Sequence, residues 1–157
     1  MNSLRPILLV DDSLRDIELT TAALKRNHVA NEIAVTRHGG EALDFLYRRG
    51  EYQNRPAVNP VVVFLDLKMP KVDGLEVLRQ IKSDPSLKVI PVVMLTSSRE
   101  EGDLIKSYQL GTNAYIVKPV GFEQFSDAIR ELGVFWAVMN EPPPDRAGGS
   151  PPSPKAA

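Results

Sequence analysis

Short apolar runs alternate along the chain with segments in which apolar residues recur every three or four positions. The apolar runs cover residues 6–10, 32–36, 61–66, 91–97 and 114–118. The segments with helical spacing begin at Ser13, Gly40, Gly74, Glu100 and Phe122. In the first of these segments the apolar stripe consists of Leu14, Ile17, Thr21 and Leu24. These patterns predict buried strands and helices with one buried face.

This order predicts a β-strand followed by an α-helix, repeated five times. Strands made of continuous Val, Ile and Leu belong to parallel sheets that carry helices on both faces. We therefore expect an α/β domain over residues 1–139, with a doubly wound, five-stranded parallel sheet. Residues 140–157 are rich in proline and predict a flexible tail. That tail is either a passive extension or a proline-rich docking peptide.

Composition narrows the classes of function. Lys and Arg total 19 and Asp and Glu total 20, so the chain lacks the basic excess of most nucleic-acid binders. The absence of cysteine excludes disulfides and thiolate metal sites, and it fits a cytoplasmic location. No apolar run approaches the roughly 20 residues that a membrane helix needs. We therefore expect a cytoplasmic domain that binds neither nucleic acid nor membranes.

Polar and charged side chains stand where four of the predicted strands end. Asp11 and Asp12 end the first strand, Asp66 ends the third, Thr96 lies at the end of the fourth and Lys118 ends the fifth. Ligand sites in doubly wound sheets lie at the carboxyl ends of the strands. If these four strands are neighbours, the five side chains converge on one crevice.

A crevice with three carboxylates favours a bound cation, because the negative charges repel one another. Mg²⁺ prefers oxygen ligands and sites that also offer a phosphate. A hydroxyl and a lysine stabilise phosphoryl oxygens, and an aspartate can serve as the nucleophile. Each signal alone has a simpler interpretation: the two acids as a helix cap, Thr96 as a strand residue, and Lys118 with Pro119 as a turn. Their combination favours phosphoryl transfer with Mg²⁺.

Four stretches together resemble the response-regulator receiver domains of two-component signalling: ILLVDDS, VVVFLDLKMPKVDGLEVL, IPVVMLTSS and GTNAYIVKPV. The separations between Asp66, Thr96 and Lys118 also fit, and the resemblance covers residues 4 to about 139. It implies the flavodoxin-like receiver fold of five strands and five helices. The long segment FLYRRGEYQNRPAVNP and the terminal FW are similar to the small stand-alone regulators paired with bacterial and cyanobacterial phytochromes.

The resemblance implies a role for each acidic residue. Asp66 would accept a phosphoryl group from a phosphohistidine of the kinase. Mg²⁺, with Mn²⁺ as a substitute, would bind Asp12 directly, Asp11 largely through water, Asp66, and the backbone carbonyl of Lys68. Phosphoryl transfer needs charge neutralisation more than acid–base chemistry. No histidine is therefore required, and both histidines are expected on the surface.

The resemblance also implies how the phosphoryl group is held and sensed. Thr96 would bond one phosphoryl oxygen and Lys118 would neutralise another, aimed by a cis peptide between Lys118 and Pro119. The switch would couple Thr96 to Tyr115, which is otherwise an ordinary half-buried strand aromatic. Output would then pass through the surface formed by the fourth helix, the fifth strand and the fifth helix.

The last predicted helix, which extends to about Met139, is apolar nearly all round near its end. A helix of this kind has to be buried on every side. We therefore expect a homodimer through the fifth helix, fifth strand and fourth helix, with burial within the chain as the alternative. The predicted interface residues are Val134, Phe135, Trp136 and Val138.

These observations predict a signalling protein and not an enzyme. We expect a single-domain response regulator that a sensor histidine kinase, of phytochrome type, phosphorylates on Asp66. At most it would phosphorylate itself slowly from small donors and dephosphorylate itself. A Mg²⁺-dependent aspartyl-phosphate phosphatase is the enzyme alternative, but it needs a second aspartate where Lys68 stands. A non-phosphorylated adaptor and a flavin-binding module are further alternatives, although the DDSLRD loop is too acidic for a flavin phosphate.

Overall fold

Five strands and five helices alternate in the structure, a computed structural model that describes residues 5–69, 71–97, 100–118 and 122–131. The strands are β1 (Ile7–Val10), β2 (Ile33–Thr36), β3 (Val62–Leu65), β4 (Val92–Thr96) and β5 (Ala114–Val117). The helices are α1 (Leu14–Arg26), α2 (Gly39–Tyr47), α3 (Gly74–Ser83), α4 (Glu101–Gln109) and α5 (Phe122–Ile129). The predicted doubly wound α/β fold is confirmed.

The sheet is parallel throughout and has the order β2-β1-β3-β4-β5. The chain moves outward from β1 to β2 and then crosses to the other side of β1, so the winding direction reverses between β1 and β3. Ligands bind at such reversals. The register places Val10 beside Leu65, and the Asp66 N–H donates to the Val10 carbonyl at 2.9 Å. The residues that follow β1 and β3 therefore start at the same edge of the sheet.

The central strands are buried on both faces, which explains their unbroken apolar sequences. On one face, residues such as Leu8 and Val63 pack against α2 and α3. On the other face, residues such as Leu9 and Phe64 pack against α1 and α5, where Phe125 is fully buried. This two-sided core makes the sheet a rigid support for the groups at its carboxyl edge.

Some details differ from the sequence patterns. Leu14, predicted on the buried stripe of α1, is 58% exposed, because the helix first packs on the sheet one turn later, at Ile17. Helix α2 starts one residue earlier than predicted, since His38 Nδ1 accepts the Glu41 N–H at 3.1 Å and caps the helix. A short 3-10 helix, Gly50–Tyr52, lies in the long connection between α2 and β3 and was not predicted.

Several predictions lie outside the described residues. They concern the end of the last helix, the proline-rich tail at 140–157 and therefore the boundary at 139. They also include the peptide between Lys118 and Pro119, and the dimer residues Val134, Phe135, Trp136 and Val138. Among the described residues, no helix has the length and apolarity needed to cross a bilayer.

Candidate functional site

Three carboxylates meet where the winding of the sheet reverses. Asp11 and Asp12 directly follow β1, and Asp66 directly follows β3. One carboxylate oxygen from each residue lies within 4.8 Å of the others. Asp11 and Asp66 are buried, whereas Asp12 is exposed. The structure thus brings together the three acids that the sequence places at the ends of two separate strands.

Lys118 lies among these carboxylates, immediately after β5. Its Nζ is 2.6 Å from Oδ2 of Asp11, 3.0 Å from Oδ2 of Asp16 and 4.0 Å from Oδ2 of Asp66. Burial by itself lowers the pKa of Lys118, but its hydrogen bonds and charge interactions with the carboxylates outweigh burial and raise the pKa. The lysine is therefore a buried, permanently charged ammonium group within reach of the acidic cluster.

Asp16 is a site residue that the sequence analysis did not identify. It lies in the first turn of α1, where its N–H donates to the Ser13 hydroxyl at 3.3 Å. Acidic residues are common in first turns because they favour the helix dipole, so the residue type alone does not mark a site. The available signal was its position one helical turn after Asp12, on a helix that starts at the site.

The groups around Asp66 shift its pKa in opposite directions. Burial raises the pKa of Asp66 and Lys118 lowers it, while Asp11 raises it further. Hydrogen bonds from the Thr96 hydroxyl and the Leu67 N–H lower it, and the result is a pKa of about 6. At neutral pH the side chain is therefore an anion, but one that is poorly solvated. Such a carboxylate favours both a nearby cation and reaction with an electrophile.

Thr96 and Tyr115 lie on the same side of the sheet. Thr96 is the last residue of β4 and is fully buried. Tyr115 pairs with Met94 in the sheet and packs, half-buried, against the core cluster that contains Met94. Because side chains alternate along a strand, Met94 and Thr96 point to the same face. Tyr115 is therefore a near neighbour of the Thr96 position, as the switch prediction requires.

Lys68 lies at the open side of the site. Its side chain is exposed, and Nζ is 3.5 Å from Oε1 of Glu100, just before α4. An open groove of about 540 Å³ runs beside it, lined in part by Asp12 and Asp103. The backbone carbonyl of Lys68 as a metal ligand stays a prediction. The groove leaves room for a phosphoryl donor to approach the acidic cluster.

The chemistry of the donor set fits a hard divalent cation. The acidic cluster offers carboxylate oxygens, with no histidine or thiolate, and such ligands select Mg²⁺, Ca²⁺ or Mn²⁺ over softer metals. Burial raises the pKa of Asp66, Lys118 offsets this only in part, and the neighbouring Asp11 carboxylate raises it further. A divalent cation would supply further positive charge to the carboxylates of the cluster.

Comparison with known proteins agrees with this geometry. The family model of the response regulator receiver domain matches residues 7–130. The response regulator Rcp1 of Synechocystis sp. is 42% identical over 135 residues, which cover 86% of this chain and 90% of that protein. The crystal structure of its Mn(2+)-bound form is similar with a TM-score of 0.80 at 40% identity, covering 89% of this chain and 99% of that chain.

Two further solved structures extend this similarity. The phosphorylated cyanobacterial phytochrome response regulator RcpA has a TM-score of 0.81 at 41% identity and is covered over its whole length by 90% of this chain. The bacteriophytochrome response regulator RtBRR is 60% identical with a TM-score of 0.75, covering 90% of this chain and 86% of that chain. With the acidic cluster at the carboxyl edge of a five-stranded parallel sheet, these matches define the family. The chain belongs to the response-regulator receiver domains, two-component signalling proteins that bind a divalent metal and are phosphorylated on an aspartate by a sensor histidine kinase.

Proposed function

We propose that Asp66 is the phosphoacceptor and that this chain relays the signal of a phytochrome-type sensor histidine kinase. The observation that carries the proposal is the convergence of Asp66, Lys118 and Thr96 from three different strands on one acidic cluster. The sequence identity to cyanobacterial and bacterial phytochrome response regulators supports a phytochrome-type kinase as the phosphoryl donor. With such a partner the chain would act in the cytoplasm, and a cytoplasmic location is part of the proposal.

Asp66 would attack the phosphorus of the phosphohistidine through a carboxylate oxygen. A P–O bond forms while the P–N bond breaks, and the electron pair of that bond returns to the imidazole. The pKa of about 6, raised mainly by burial, leaves Asp66 ionised at neutral pH and therefore able to attack. Burial also keeps the nucleophile poorly hydrated, which favours reaction over solvation.

Asp11, Asp12, Asp66 and the backbone carbonyl of Lys68 would hold the metal, which we assign as Mg²⁺ with Mn²⁺ as a substitute. When bound, the ion neutralises the carboxylates and the charge that develops on the phosphoryl oxygens. Asp11 already uses one oxygen for the Ser13 N–H and the other for Lys118. This arrangement fits a ligand that acts largely through water, and it leaves exposed Asp12 as the direct ligand.

Lys118 and Thr96 would hold the phosphoryl oxygens. Lys118 Nζ is already 4.0 Å from Asp66, so a small rotation away from Asp16 brings it to the phosphoryl group. The Thr96 hydroxyl, now bonded to Asp66, would turn to a phosphoryl oxygen, and Tyr115 would move into the space beside it. The signal would leave through the surface of α4, β5 and α5.

A homodimer through that surface is part of the proposal. Three large apolar side chains on α4 are exposed: Leu104, Ile105 and Tyr108. Exposed apolar groups on neighbouring turns of one helix are typical of an interaction surface. The proposed interface continues through Val134, Phe135, Trp136 and Val138. Beyond phosphotransfer, we expect only slow phosphorylation from small donors and slow self-dephosphorylation.

The test of the proposed function is phosphotransfer from a purified, autophosphorylated phytochrome histidine kinase that carries a radiolabelled phosphoryl group. The wild-type chain should gain the label and lose it on transfer to alkali, as acyl phosphates do. Asp66→Asn should gain none. Asp73→Asn is the matched control, because Asp73 caps α3 from the neighbouring loop and asparagine also caps helices. Labelling of Asp66→Asn at the wild-type rate would contradict the proposal.

A further inference from the structure

A chain of hydrogen bonds joins the long α2–β3 connection to the acidic site. The Tyr52 hydroxyl, at the end of the 3-10 helix, donates to Oε2 of Glu41 at 2.7 Å. The other oxygen of Glu41, Oε1, accepts the backbone N–H of Arg37 at 2.7 Å. Nη2 of Arg37 then donates to the backbone carbonyl of Asp12 at 3.0 Å. Three side chains thus connect a surface segment to the turn that carries Asp12.

The far end of this chain is held firmly. The rings of Tyr52 and Phe45 meet edge to face, with centroids 5.2 Å apart. Burial, followed by the hydrogen bond to Glu41, raises the pKa of Tyr52 to about 12, so the hydroxyl stays a donor at neutral pH. The N–H of Glu41 donates to His38 at the start of α2. The Tyr52 hydroxyl and the Arg37 N–H therefore fix the two oxygens of Glu41 in direction, and the bond to His38 fixes its backbone.

Asp12 is the acid that needs such support. The carboxylate of Asp11 is fixed by the Ser13 N–H at 3.0 Å and by Lys118. The carboxylate of Asp12 is exposed and accepts no hydrogen bond from any residue that the structure describes. The bond from Arg37 to its backbone carbonyl is therefore a side-chain contact that holds Asp12 itself, in a turn that the Asp11 carboxylate also braces through Ser13.

We propose that Arg37 is a positioning residue for Asp12, and that Tyr52 and Glu41 act through Arg37 to strengthen the binding of a divalent cation. The inference rests on the proposed function, in which Asp12 binds the metal directly. Groups that orient a metal ligand from outside the coordination sphere typically contribute about 10- to 100-fold in affinity. The positive charge of Arg37 alone would weaken cation binding, so a loss of affinity on its removal has to come from positioning.

The experiment measures the dissociation constant for Mn²⁺ from the electron paramagnetic resonance signal of the free ion. Tyr52→Phe removes only the hydroxyl and changes no charge, and Arg37→Ala removes the last link. We expect the constant to rise about threefold in Tyr52→Phe and about tenfold in Arg37→Ala. The double variant should bind no more weakly than Arg37→Ala, because Tyr52 acts only through Arg37.

Tyr47→Phe is the matched control. Tyr47 is the last residue of α2, the helix that carries Glu41, and its hydroxyl donates to Asp84 at 2.9 Å, away from the acidic cluster. The Tyr47→Phe variant should leave the dissociation constant for Mn²⁺ unchanged. This should hold even if the melting temperature of the metal-free variant falls as much as that of Tyr52→Phe. Unchanged constants in Arg37→Ala and Tyr52→Phe, or an equal change in Tyr47→Phe, would overturn the inference. If Asp12→Ala also leaves the constant of the wild type unchanged, the metal assignment in the proposed function fails with it.

Discussion

Asp66 combines two opposing requirements: it has to be anionic to react, yet it lies where burial disfavours charge. Burial and Asp11 raise the pKa of Asp66, and Lys118, Thr96 and the Leu67 N–H bring it down to about 6. The residues at strand ends were identifiable from the sequence, because the carboxyl ends of parallel strands share one edge. Asp16 and Arg37 were not, because their contacts depend on side-chain reach between elements.

The charge of Asp66 makes stability depend on pH in the absence of metal. Because the folded pKa of about 6 exceeds the ordinary 3.8, the folded state binds more protons between these values. Stability is therefore lost as the pH rises through this window. Asp66→Asn avoids this loss and should be more stable than the wild type by about 1–2 kcal/mol above pH 6, with no difference below about pH 4. Urea unfolding with a chelator present measures the stabilities of the wild type and of Asp66→Asn in both pH ranges. A stability difference that does not change with pH would contradict the account.

Lys118 should be the residue that makes the metal-free site tolerable. Lys118→Met leaves buried Asp11 and Asp66 without their cation, so we expect a loss of about 3 kcal/mol in unfolding free energy with a chelator present. Saturating Mg²⁺ should recover part of this loss, since it supplies positive charge to the same carboxylates. Lys106→Met, an exposed position on α4, should change stability by less than about 0.5 kcal/mol. Equal losses in the two variants would show that the ion pairs of Lys118 contribute nothing.

At the scale of elements, the loop that follows β3 is fixed by close backbone packing. A Cβ at Gly39 would lie 2.3 Å from the carbonyl oxygen of Val72, and one at Gly74 would lie 2.1 Å from the carbonyl oxygen of Asp66. The start of α2 and the start of α3 therefore hold the segment that carries Asp66 and Lys68. The sequence predicts the start of α3 and comes within one residue of the start of α2, but it cannot show which glycine lies against another backbone.

Gly39 and Gly40 form a natural pair for testing this packing. Gly39→Ala should destabilise the protein by about 2 kcal/mol, because Val72 has to move, and should slow phosphorylation since the displaced loop carries Lys68. The added Cβ of Gly40→Ala would meet only the His38 ring, with Nδ1 at 3.5 Å and Cε1 at 3.8 Å, which are ordinary contacts. We expect it to stabilise α2 by up to about 1 kcal/mol. Denaturant unfolding measures the change in unfolding free energy of both variants. If Gly39→Ala left the unfolding free energy unchanged, the loop would be free to shift.

Apart from the end of the last helix, which lies outside the described residues, helix and strand boundaries could be predicted to within a residue or two. The apolar runs of the central strands and the apolar stripes of the helices are clear in the sequence. The 3-10 helix could not be predicted, since the segment around Gly50–Tyr52 has no apolar period. Its position depends on Tyr52, its last residue, and on Arg55, three residues later, which both pack against the Phe45 ring. Such contacts appear only once α2 is in place.

At the scale of the whole molecule, the site depends on the strand order. The predicted convergence of Asp11, Asp66, Thr96 and Lys118 was conditional on β1, β3, β4 and β5 being neighbours. The sheet order meets that condition. A sequence of alternating strands and helices is compatible with other orders, so spacing alone could not decide between them. The motifs that resemble receiver domains supplied the missing topology.

Self-association is the whole-molecule property that the exposed face of α4 predicts. Ile105 is 47% exposed, and Ile105→Glu should convert the proposed homodimer to a monomer, because a carboxylate cannot be buried there unpaired. Val58→Glu, at an exposed apolar position in the α2–β3 connection, is the control and should remain dimeric. Sedimentation velocity, with and without phosphorylation, measures the oligomeric state of both variants. A wild-type chain that is monomeric in both states would contradict the homodimer.

The most direct test of the central claim is the intact mass of the protein after incubation with acetyl phosphate and Mg²⁺. The claim is that side chains from four strands make Asp66 reactive toward phosphorus. The wild-type chain should gain the mass of one phosphoryl group. It should gain none when EDTA withholds the metal, and the Asp66→Asn variant should gain none with Mg²⁺ present. A phosphoryl adduct that persists in Asp66→Asn, or a wild-type chain that accepts none from acetyl phosphate or from a phosphorylated kinase, would contradict the account.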